Sequence, residues 1–573
     1  MSWADEKKGV EAQLPVPVLE PRVESRETQK KKKKTWSLIF SVVAGVIFVG
    51  LFRSIVSSGF WPHFRLRFPH HCHGSDGDES GDLVWKELAK GSNVLHANIT
   101  LPLDYNDRSA GNVTVALNKI PATHKDGSLG SILLNPGGPG GSGTNLLYRR
   151  GADISEIVEG RYDIIGFDPR GINWTSPNFY CGVGDKQISG FNAISNELLS
   201  THGDNVSYGE QLAYGKLQGL ACSSDDSGKY ISTALVSTDM LHISRALGDE
   251  KLNYWGFSYG SILGNTFAQM YPESVGRMIV DGVMDAEDYY AGTWFSNLEN
   301  TDNVTRTFYE ACSASTNCPI EGSPDEIEHL FGDLITKLKF EPATVFDIES
   351  GSVGLVTYSG FLSSFFATLY SPVVWNRFAN VTLDLLNGNA LPFYQMYLAP
   401  GPDADSLADS AGYATLCGDA SNATYPKTVT SPEALKNLVA TLRKSSKWWS
   451  DNWLIASGCF GYKQTPVMLW DGPFQKVNAS MLLIGNTYDP VTPISAARKM
   501  ATFYTDSAVI HQSGVGHCSL AQKSSCTAEL VRNWFNNGVL PPPNTVCPTD
   551  EVPFETAQEA TVTDLFIPRF FSV

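Results

Sequence analysis

A serine, an aspartate and a histidine in this chain have the neighbours and the order that nucleophilic catalysis requires. Ser258 stands between two glycines in the segment 256–260, Asp489 follows a short apolar run, and His517 follows a late one. A serine hydroxyl attacks a carbonyl only when a base takes its proton and an acid orients that base. The three residues predict acyl transfer, with Ser258 as nucleophile, His517 as base and Asp489 as acid.

Each of these residues also has a structural alternative. A Gly-x-Ser-x-Gly segment occurs in ordinary turns, an aspartate after a strand can cap a helix, and a histidine can be purely structural. Asp281 is a second candidate acid because it also follows an apolar run, although its neighbour Gly282 favours a turn. The joint occurrence of Ser258, Asp489 and His517 after strand-like runs, in this order, favours the catalytic interpretation.

Short apolar runs precede these residues and alternate with helix-compatible segments. Strands are predicted at 113–120, 131–134, 162–167, 252–257, 278–280, 481–485 and 508–510, and helices at 238–247, 262–271 and 493–503. Apolar strands separated by helices are typical of a parallel sheet buried on both faces. Residues that follow such strands meet at one edge of the sheet, where ligands bind. The order Ser, Asp, His along the sheet indicates an α/β-hydrolase fold.

The oxyanion formed during acyl transfer needs preorganised backbone N–H donors. Tyr259, the residue after the nucleophile, is expected to supply one donor. The glycine-rich segment 135–143 is expected to supply the other, because its five glycines leave backbone amides open to a substrate. A phosphate-binding loop is the alternative, but the segment lacks the Gly-Lys-Ser/Thr ending of such loops.

The strand rhythm stops between residues 285 and 478, where the chain is rich in aromatic residues and helix-compatible. This stretch is predicted to be an inserted, mainly helical cap. Residues 538–573 are rich in proline and are expected to wrap the surface. The predicted division is a cytosolic polar tail at 1–35, a transmembrane anchor at 36–56, a linker at 57–85, the hydrolase core at 86–284, the cap at 285–478 and the second part of the core at 479–573.

An uncharged apolar stretch near the N-terminus predicts the membrane anchor. Residues 30–34 are all lysine, and residues 36–52 carry no charge, with an extension to Val56 if Arg53 snorkels. The positive-inside rule then places residues 1–34 in the cytosol and the catalytic part in the lumen or outside the cell, as in a single-pass type II membrane protein. Secretion after cleavage of a signal peptide is the alternative, although the charged region before the stretch is unusually long for one.

Charge and ligand spacing restrict the partners. A formal net charge of -17 argues against nucleic acid, because phosphate binding needs concentrated lysine and arginine. The cluster His70-His71-Cys72-His73 lies in the linker without a second ligand group at zinc spacing, so no metal is predicted. No cofactor is predicted either, and the oligomeric state is left open.

Glycosylation sequons and cysteines all follow the apolar stretch. The even count of ten cysteines suits an oxidising compartment, with reduced cytosolic cysteines as the alternative. Cys312 and Cys318 are close enough in the chain to join one loop. Eight Asn-x-Ser/Thr sequons give modest support to a lumenal or extracellular location. They begin at Asn98, Asn112, Asn173, Asn205, Asn303, Asn380, Asn422 and Asn478.

Several motifs in order resemble the tripeptidyl-aminopeptidase and proline-iminopeptidase group of α/β-hydrolases. They are the segments 135–143, 168–171, 256–260, 281–283, 486–493, 516–519 and 537–541, the last followed by Cys547. The resemblance covers about residues 85–555 and implies a triad of Ser258, Asp489 and His517, with Gly138 and Tyr259 as the oxyanion hole. It also implies three disulfides and leaves Cys72 and Cys518 without a partner. These disulfides are Cys181–Cys222, Cys417–Cys459 and Cys526–Cys547.

The resemblance further implies a serine peptidase that acts on short peptides from a free N-terminus. Such a site needs a carboxylate for the substrate ammonium, because an unpaired buried charge is costly. Asp285, Glu287 and Asp288 open the cap and are the candidates. If the pocket holds no such acid, a carboxylesterase or amidase acting on small acyl substrates is the better hypothesis. A non-enzymatic surface binding protein on a hydrolase scaffold is a third, although binding alone would not need the triad.

Overall fold

The computed structural model describes residues 83–182, 205–399, 410–423, 425, 427–451, 453 and 459–555. The predicted polar tail and membrane anchor, Cys72 and nearly all of the linker lie outside these residues. Of the helices in the described part of the chain, none is both long and apolar enough to cross a membrane.

Strands of the described residues form a ten-stranded sheet and a separate hairpin. They are β1 (Lys86–Glu87), β2 (Leu95–Pro102), β3 (Asn112–Ile120), β4 (Ser131–Asn135), β5 (Asp163–Phe167), β6 (Leu252–Phe257), β7 (Val275–Asp281), β8 (Ala343–Asp347), β9 (Ser352–Val356), β10 (Val477–Tyr488), β11 (Tyr504–Val515) and β12 (Val546–Cys547). The sheet order is β1-β2-β3-β5-β4-β6-β7-β10-β11-β12, and β8 pairs with β9. From β5 to β12 all neighbours are parallel, whereas β1, β2 and β3 form an antiparallel edge.

The strand order places a crevice at the end of β4. This strand has β5 on one side and β6 on the other, so the chain leaves β4 in one direction and later returns to its other side. The register aligns Asn135 with Gly256, and Phe257 with Asp281. The ends of these strands therefore lie side by side at the topological switch point, where α/β sheets bind ligands.

Helices cover both faces of the sheet and build the cap. They are α1 (Gly143–Ile157), α2 (Asn205–Cys222), α3 (Thr233–Ala246), α4 (Tyr259–Met270), α5 (Ala286–Tyr290), α6 (Thr301–Ala314), α7 (Pro324–Phe340), α8 (Tyr358–Thr368), α9 (Trp375–Leu386), α10 (Leu391–Tyr397), α11 (Ser410–Asp419), α12 (Pro432–Leu442), α13 (Ile494–Ala501) and α14 (Ser525–Asn537). Helices α1 and α14 pack on one face, and α3, α4 and α13 pack on the other.

Alternate residues of the strands enter two separate cores. Ile132 and Leu134 pack with α1 and α14, whereas Leu133 between them packs on the opposite side with α3 and α4. Trp255 and Tyr254 divide between the two cores in the same way. Because successive side chains of a strand point to opposite faces, a sheet covered on both sides needs uninterrupted apolar runs. This explains why the short runs in the sequence predicted the strands correctly.

The predicted strands are confirmed, but several are longer than their apolar runs. The runs 278–280 and 508–510 are the centres of β7 and β11. Strand β2 was not predicted, because at the antiparallel edge it alternates exposed polar residues with buried ones. The hydrolase fold is thus the one that the sequence indicates, with an added antiparallel edge.

Between β7 and β10 the chain forms the cap, with helices α5 to α12 and the β8–β9 hairpin. Its centre is aromatic: the rings of Phe365 and Phe378 stack at 5.1 Å, and Phe308 and Phe331 pack around them. Phe554, from the proline-rich C-terminal region, is buried against Phe308. Helix α2 precedes the predicted cap boundary and still packs against α12 of the cap.

All four predicted disulfides are present. Cys312–Cys318 closes a loop after α6, and the three pairs implied by the resemblance also form. Cys181–Cys222 joins the segment after β5 to the end of α2, and Cys417–Cys459 joins α11 to a later segment of the cap. Cys518 is a buried free thiol.

The eight sequon asparagines are all exposed. The side-chain nitrogen of Asn173 donates hydrogen bonds to Asp168, Ser142 and Thr144 at 3.0 to 3.2 Å. Those of Asn303 and Asn380 each donate to a single nearby residue, Asn300 and Asn376. Glycosylation would leave one N–H on the acceptor nitrogen, so Asn173 would lose the most contacts of these three.

Candidate active site

Ser258 occupies a strained turn between β6 and α4. Its φ of 57° and ψ of -123° are rarely adopted by residues other than glycine. The turn is held by the Ser258 N–H, which donates to the Asp281 carbonyl at 2.9 Å, and by the Ser261 hydroxyl, which donates to the Ser258 carbonyl at 2.6 Å. The side chain of Ser258 is thereby presented at the carboxyl edge of the sheet.

The two glycines of this turn have no room for a side chain. A Cβ at Gly256 would lie 2.3 Å from the Tyr254 hydroxyl oxygen, and a Cβ at Gly260 would lie 2.9 Å from the Asn135 carbonyl oxygen. Both positions therefore require glycine for a steric reason, because real Cβ atoms do not approach other atoms so closely.

Replacing Ser258 by glycine is expected to raise the free energy of unfolding by about 1 kcal/mol, since glycine adopts a positive φ with little strain. Part of the relief is offset by the greater freedom of glycine in the unfolded chain. Urea denaturation at pH 7 measures the difference. The matched control is Ser258→Ala, which keeps the Cβ and should show no such gain. Equal stability of the glycine and alanine variants would contradict strain at this turn.

Asp489 and His517 form a buried pair after β10 and β11. The Nδ1 atom of His517 lies 3.0 Å from each carboxylate oxygen of Asp489, and the Thr492 hydroxyl lies 3.2 Å from the same nitrogen. An ionised carboxylate only accepts hydrogen bonds, so Nδ1 carries the proton. The Nε2 atom is left as the basic nitrogen. It is buried and has no hydrogen-bond partner among the described residues.

The surroundings of Asp489 keep its carboxylate ionised. Burial alone would raise its pKa, but the charge and hydrogen bond of His517 and the backbone N–H groups of Val491 and Cys518 outweigh burial. These N–H groups donate at 3.0 and 2.8 Å. The pKa of Asp489 is consequently below its ordinary value, as an acid that stabilises an imidazolium requires.

The Asp281 carbonyl connects the histidine loop with the nucleophile turn, and the Asn486 side chain holds that loop. The Asn486 side-chain nitrogen donates to the carbonyls of Gly516 and Cys518 at 2.8 and 2.7 Å. The Cys518 sulfur lies 3.6 Å from the Asp281 carbonyl, which also accepts the Ser258 N–H. The Ser258 hydroxyl is not hydrogen-bonded to the Nε2 of His517 in this arrangement. Such bonds are commonly long in ligand-free sites and tighten when substrate binds.

Asp281, the second candidate acid, is bound elsewhere. Its carboxylate accepts hydrogen bonds from the backbone N–H of Ser519 at 2.8 Å, from the Ser519 hydroxyl, and from the Trp255 indole at 3.3 Å. It has no hydrogen bond to His517, whose Nδ1 faces Asp489. Burial raises the pKa of Asp281 to about 6.

The raised pKa of Asp281 predicts a pH dependence of stability. The folded-state value of about 6 exceeds the ordinary value of 3.8, so the contribution of Asp281 is fully present below pH 3.8 and is lost as pH rises through 6. The loss amounts to about 3 kcal/mol in the free energy of unfolding. Urea denaturation between pH 3.5 and pH 8 should show that the free energy of unfolding of Asp281→Asn lacks this part of the wild-type pH dependence. Parallel pH profiles for the two proteins would contradict the prediction.

The glycine-rich loop after β4 touches the nucleophile turn. A Cβ at Gly137 would lie 3.0 Å from the Tyr259 nitrogen, but the Gly137 N–H itself donates to the Asn135 side chain at 2.9 Å. The N–H groups of Gly138 and Tyr259 donate no hydrogen bond to another described residue. Both N–H groups are thus open to an oxyanion, and their role as its donors stays a prediction.

Two contacts of His517 were not predicted. The Tyr370 carbonyl, just after cap helix α8, accepts the His517 N–H at 2.8 Å, and its ring meets the imidazole edge-on at 4.8 Å. No sequence pattern indicates this cap contact. The Thr492 contact could have been inferred, because Thr492 lies three residues after Asp489 in the same loop.

The three acidic residues proposed for substrate binding already have partners. Asp285 and Glu287 each lie 2.7 Å from the Lys499 ammonium nitrogen. Asp285 also caps α5, and the Asp288 carboxylate accepts hydrogen bonds from the N–H and hydroxyl of Ser296 at 2.8 and 2.6 Å. A substrate ammonium would have to compete with these contacts, so this placement does not favour the three residues.

One group of potential metal ligands occurs among the described residues. Ligand atoms of Asp489, His517 and Cys518 lie within 4.8 Å of one another. The carboxylate and the imidazole are hydrogen-bonded to each other, and burial raises the pKa of the Cys518 thiol well above its ordinary value. A protonated thiol is a poor metal ligand, so this group fits an acid–base pair better than a metal centre.

The sheet order, with Ser258, Asp489 and His517 after parallel strands at one edge of the sheet, defines an α/β-hydrolase. The chain is a serine hydrolase. Residues 446–547 match the family model described as TAP-like protein. The serine protease Hip1 of Mycobacterium tuberculosis is 26% identical over 476 residues, covering 79% of this chain and 87% of that protein. The chain is thus related to α/β-hydrolase serine peptidases of the tripeptidyl-aminopeptidase type.

Two further relatives differ in the activity that their names state. The tripeptidyl aminopeptidase of Streptomyces lividans is 30% identical over 190 residues, which is 33% of this chain and 35% of that protein. Carboxylesterase B of Mycobacterium tuberculosis is 24% identical over 473 residues, covering 79% of this chain and 86% of that protein. The similarities therefore support hydrolysis by a serine nucleophile and leave the acyl substrate to be inferred from the site.

Proposed function

We propose that the protein cleaves short peptides from a free N-terminus through an acyl-enzyme on Ser258. The observation that carries this proposal is the buried Asp489–His517 pair, whose Nε2 has no partner among the described residues. The loop of this histidine contacts the Asp281 carbonyl, the same carbonyl that accepts the Ser258 N–H of the strained turn. The named peptidase relatives support a peptide substrate.

The geometry gives each group a role in acyl transfer. The Nε2 atom of His517 takes the Ser258 proton while the serine oxygen forms a bond to the substrate carbonyl carbon. The N–H groups of Gly138 and Tyr259 stabilise the oxyanion, and Asp489 stabilises the imidazolium. His517 then gives the proton to the departing amine as the C–N bond breaks. Water, activated by the same nitrogen, releases the acyl group.

Chromogenic peptides with free and acetylated N-termini, assayed beside short p-nitrophenyl esters, test the substrate class. We expect a higher kcat/KM for peptides with a free N-terminus than for their acetylated forms. Equal cleavage of the two forms would count against exopeptidase action. Labelling by a fluorophosphonate probe tests the nucleophile directly, and a folded protein that does not label would favour the non-enzymatic binding hypothesis.

A carboxylesterase or amidase acting on small acyl substrates is the second candidate function. Carboxylesterase B covers as much of this chain as Hip1 does, at similar identity. The same triad cleaves esters and amides, so the fold does not distinguish them. High ester turnover without cleavage of any free or acetylated peptide would favour this candidate.

We also infer a type II membrane protein whose catalytic part lies in the lumen or outside the cell. The lysine run at 30–34 before the uncharged stretch 36–52 supports this orientation. Four disulfides in the described residues and eight exposed sequon asparagines suit an oxidising, glycosylating compartment. Glycosidase treatment tests the lumenal or extracellular location, and carbonate extraction of membranes tests the membrane anchor. A protein that is extracted by carbonate would favour secretion after cleavage.

A further inference from the structure

A buried carboxylate of the cap is linked to the side chain of Tyr259 through a single residue. Asp419, at the end of α11, accepts hydrogen bonds from the Thr233 N–H at 3.0 Å, from the Thr233 hydroxyl, and from the Tyr289 hydroxyl at 2.8 Å. The Thr233 hydroxyl also lies 2.6 Å from the Tyr259 hydroxyl. Asp419 therefore lies beside the residue whose N–H is a candidate oxyanion donor.

This carboxylate has no cationic partner among the described residues. Its hydrogen bonds come from Thr233 and Tyr289 alone, and no lysine, arginine or histidine forms an ion pair with it there. Asp419 is only 5% exposed, and burial raises its pKa to about 6. Three donors occupy three of its roughly four lone-pair positions, so one position remains. Because an unpaired buried charge is costly, a cationic ligand would stabilise this site.

Tyr289, which donates to the carboxylate, belongs to an aromatic cluster in which one donor is unused. The Tyr289 ring lies 5.9 Å from the Tyr259 ring and 5.4 Å from the Trp294 ring. The indole N–H of Trp294 is buried and has no acceptor among the described residues, whereas that of nearby Trp453 donates to the Trp294 carbonyl. Aromatic faces attract ammonium groups, and a buried N–H needs an acceptor.

The backbone of Trp294 is also unusual. Its φ of 54° and ψ of 30° are left-handed, which is unusual for a bulky residue. Strain of this kind persists where the surrounding structure imposes it, and it is frequent at ligand sites. Trp294 therefore has both a strained backbone and an unused donor. Its ring lies beside that of Tyr289, which donates to Asp419.

We propose that Asp419, which contacts Tyr289 directly and Tyr259 through Thr233, binds the α-ammonium group of the peptide substrate, and that the indole of Trp294, whose ring lies beside that of Tyr289, donates to a carbonyl of the same peptide. The inference rests on the proposed exopeptidase function and specifies its substrate subsite. The cation binds the free carboxylate lone pair, and the peptide then extends towards the Tyr259 N–H at the oxyanion position.

Inhibition of the initial rate of ester hydrolysis by a short peptide tests the subsite whether or not the peptide is cleaved. Trialanine and acetyl-trialanine are compared as competitive inhibitors with a p-nitrophenyl ester as reporter. The wild-type protein should bind trialanine more tightly, and Asp419→Asn should reduce this preference about 10- to 100-fold, the effect of losing a hydrogen bond to a charged group. The matched control is Asp302→Asn, another cap acid held by a hydroxyl and a backbone N–H, those of Ser446 and Lys447. It should leave the preference unchanged.

Trp294→Phe provides a second, milder variant because it keeps an aromatic ring and removes only the N–H donor. Trialanine should then bind about 2- to 10-fold more weakly, the range expected for one neutral hydrogen bond, while acetyl-trialanine changes less. If Asp419→Asn does not fold by circular dichroism, this variant decides the question. An unchanged trialanine affinity in folded Trp294→Phe would then overturn the proposal.

The outcomes separate this inference from the proposed function. Equal weakening of trialanine and acetyl-trialanine by Asp419→Asn, or no weakening, would overturn the ammonium subsite even if the wild-type protein cleaves free peptides. An Asp419-dependent preference for trialanine in a protein that cleaves no peptide would support the subsite and overturn the exopeptidase function.

Discussion

Ser258→Ala is expected to lower kcat about 10⁴- to 10⁶-fold for peptides and esters alike, since the oxyanion donors alone supply the remaining catalysis. The variant loses only the hydroxyl, so the Asp489–His517 pair and the fold should persist. Steady-state rates with a p-nitrophenyl ester measure the loss of kcat. A thermal denaturation curve measures whether the fold persists.

Ser261→Ala is the matched control for this prediction. Ser261 lies in the same turn, where its hydroxyl donates to the Ser258 carbonyl and accepts the Met284 N–H. Its loss should reduce stability by about 1 kcal/mol while fluorophosphonate labelling continues. Labelling or turnover that survives in folded Ser258→Ala would show that another residue is the nucleophile.

Asp489→Asn is expected to lower kcat about 10⁴-fold, the size of effect found when a triad acid becomes an amide. The asparagine side chain can donate a hydrogen bond to the Nδ1 atom of His517, which places the imidazole proton on Nε2. That nitrogen then cannot accept the Ser258 proton. Rates for ester and peptide substrates at pH 7 and pH 9 measure the loss. The Asp281→Asn variant should lose much less activity, because Asp281 binds Ser519 and Trp255 instead.

The same substitution should change the pH dependence of stability. The pKa of Asp489 is lowered in the folded protein by His517 and backbone N–H groups that outweigh burial. Its contribution is therefore present above the ordinary pKa of 3.8 and is lost as pH falls through the lower folded value. The stability gap between wild type and Asp489→Asn should be largest near neutral pH and narrow in acid. A gap that widens in acid would contradict the assigned charge state of Asp489.

Much of the hydrolase core could be predicted because its signals are local. Buried parallel strands need continuous apolar runs, and each run marks a strand whose end must lie at the common edge. The steric role of Gly256 and Gly260 likewise follows from a tight strand-to-helix turn. Strand β2 escaped prediction because His96, Asn98 and Thr100 interrupt its apolar residues, so that it has no continuous apolar run.

The cap could not be predicted to the same depth. Tyr370 reaches His517 from the end of α8, and Asp419 reaches Thr233 from α11, in contacts between residues far apart in the chain. Neither contact has a periodic signature, since loops and helix ends carry no repeating pattern. The acids that open the cap were plausible from the sequence, but Lys499 pairs with Asp285 and Glu287 only after folding.

The sequence by itself indicated Ser258 and His517 and favoured Asp489 over Asp281 as the acid, because strand periodicity and glycine spacing are properties of neighbouring residues. Tertiary structure showed which of the two acids faces the imidazole, since both follow strands and the packing of their loops places the Nδ1 atom of His517 3.0 Å from Asp489. It also buried Asp419 beside Thr233 and Tyr289 with no cationic partner among the described residues, because charge pairing depends on which distant side chains the fold brings together.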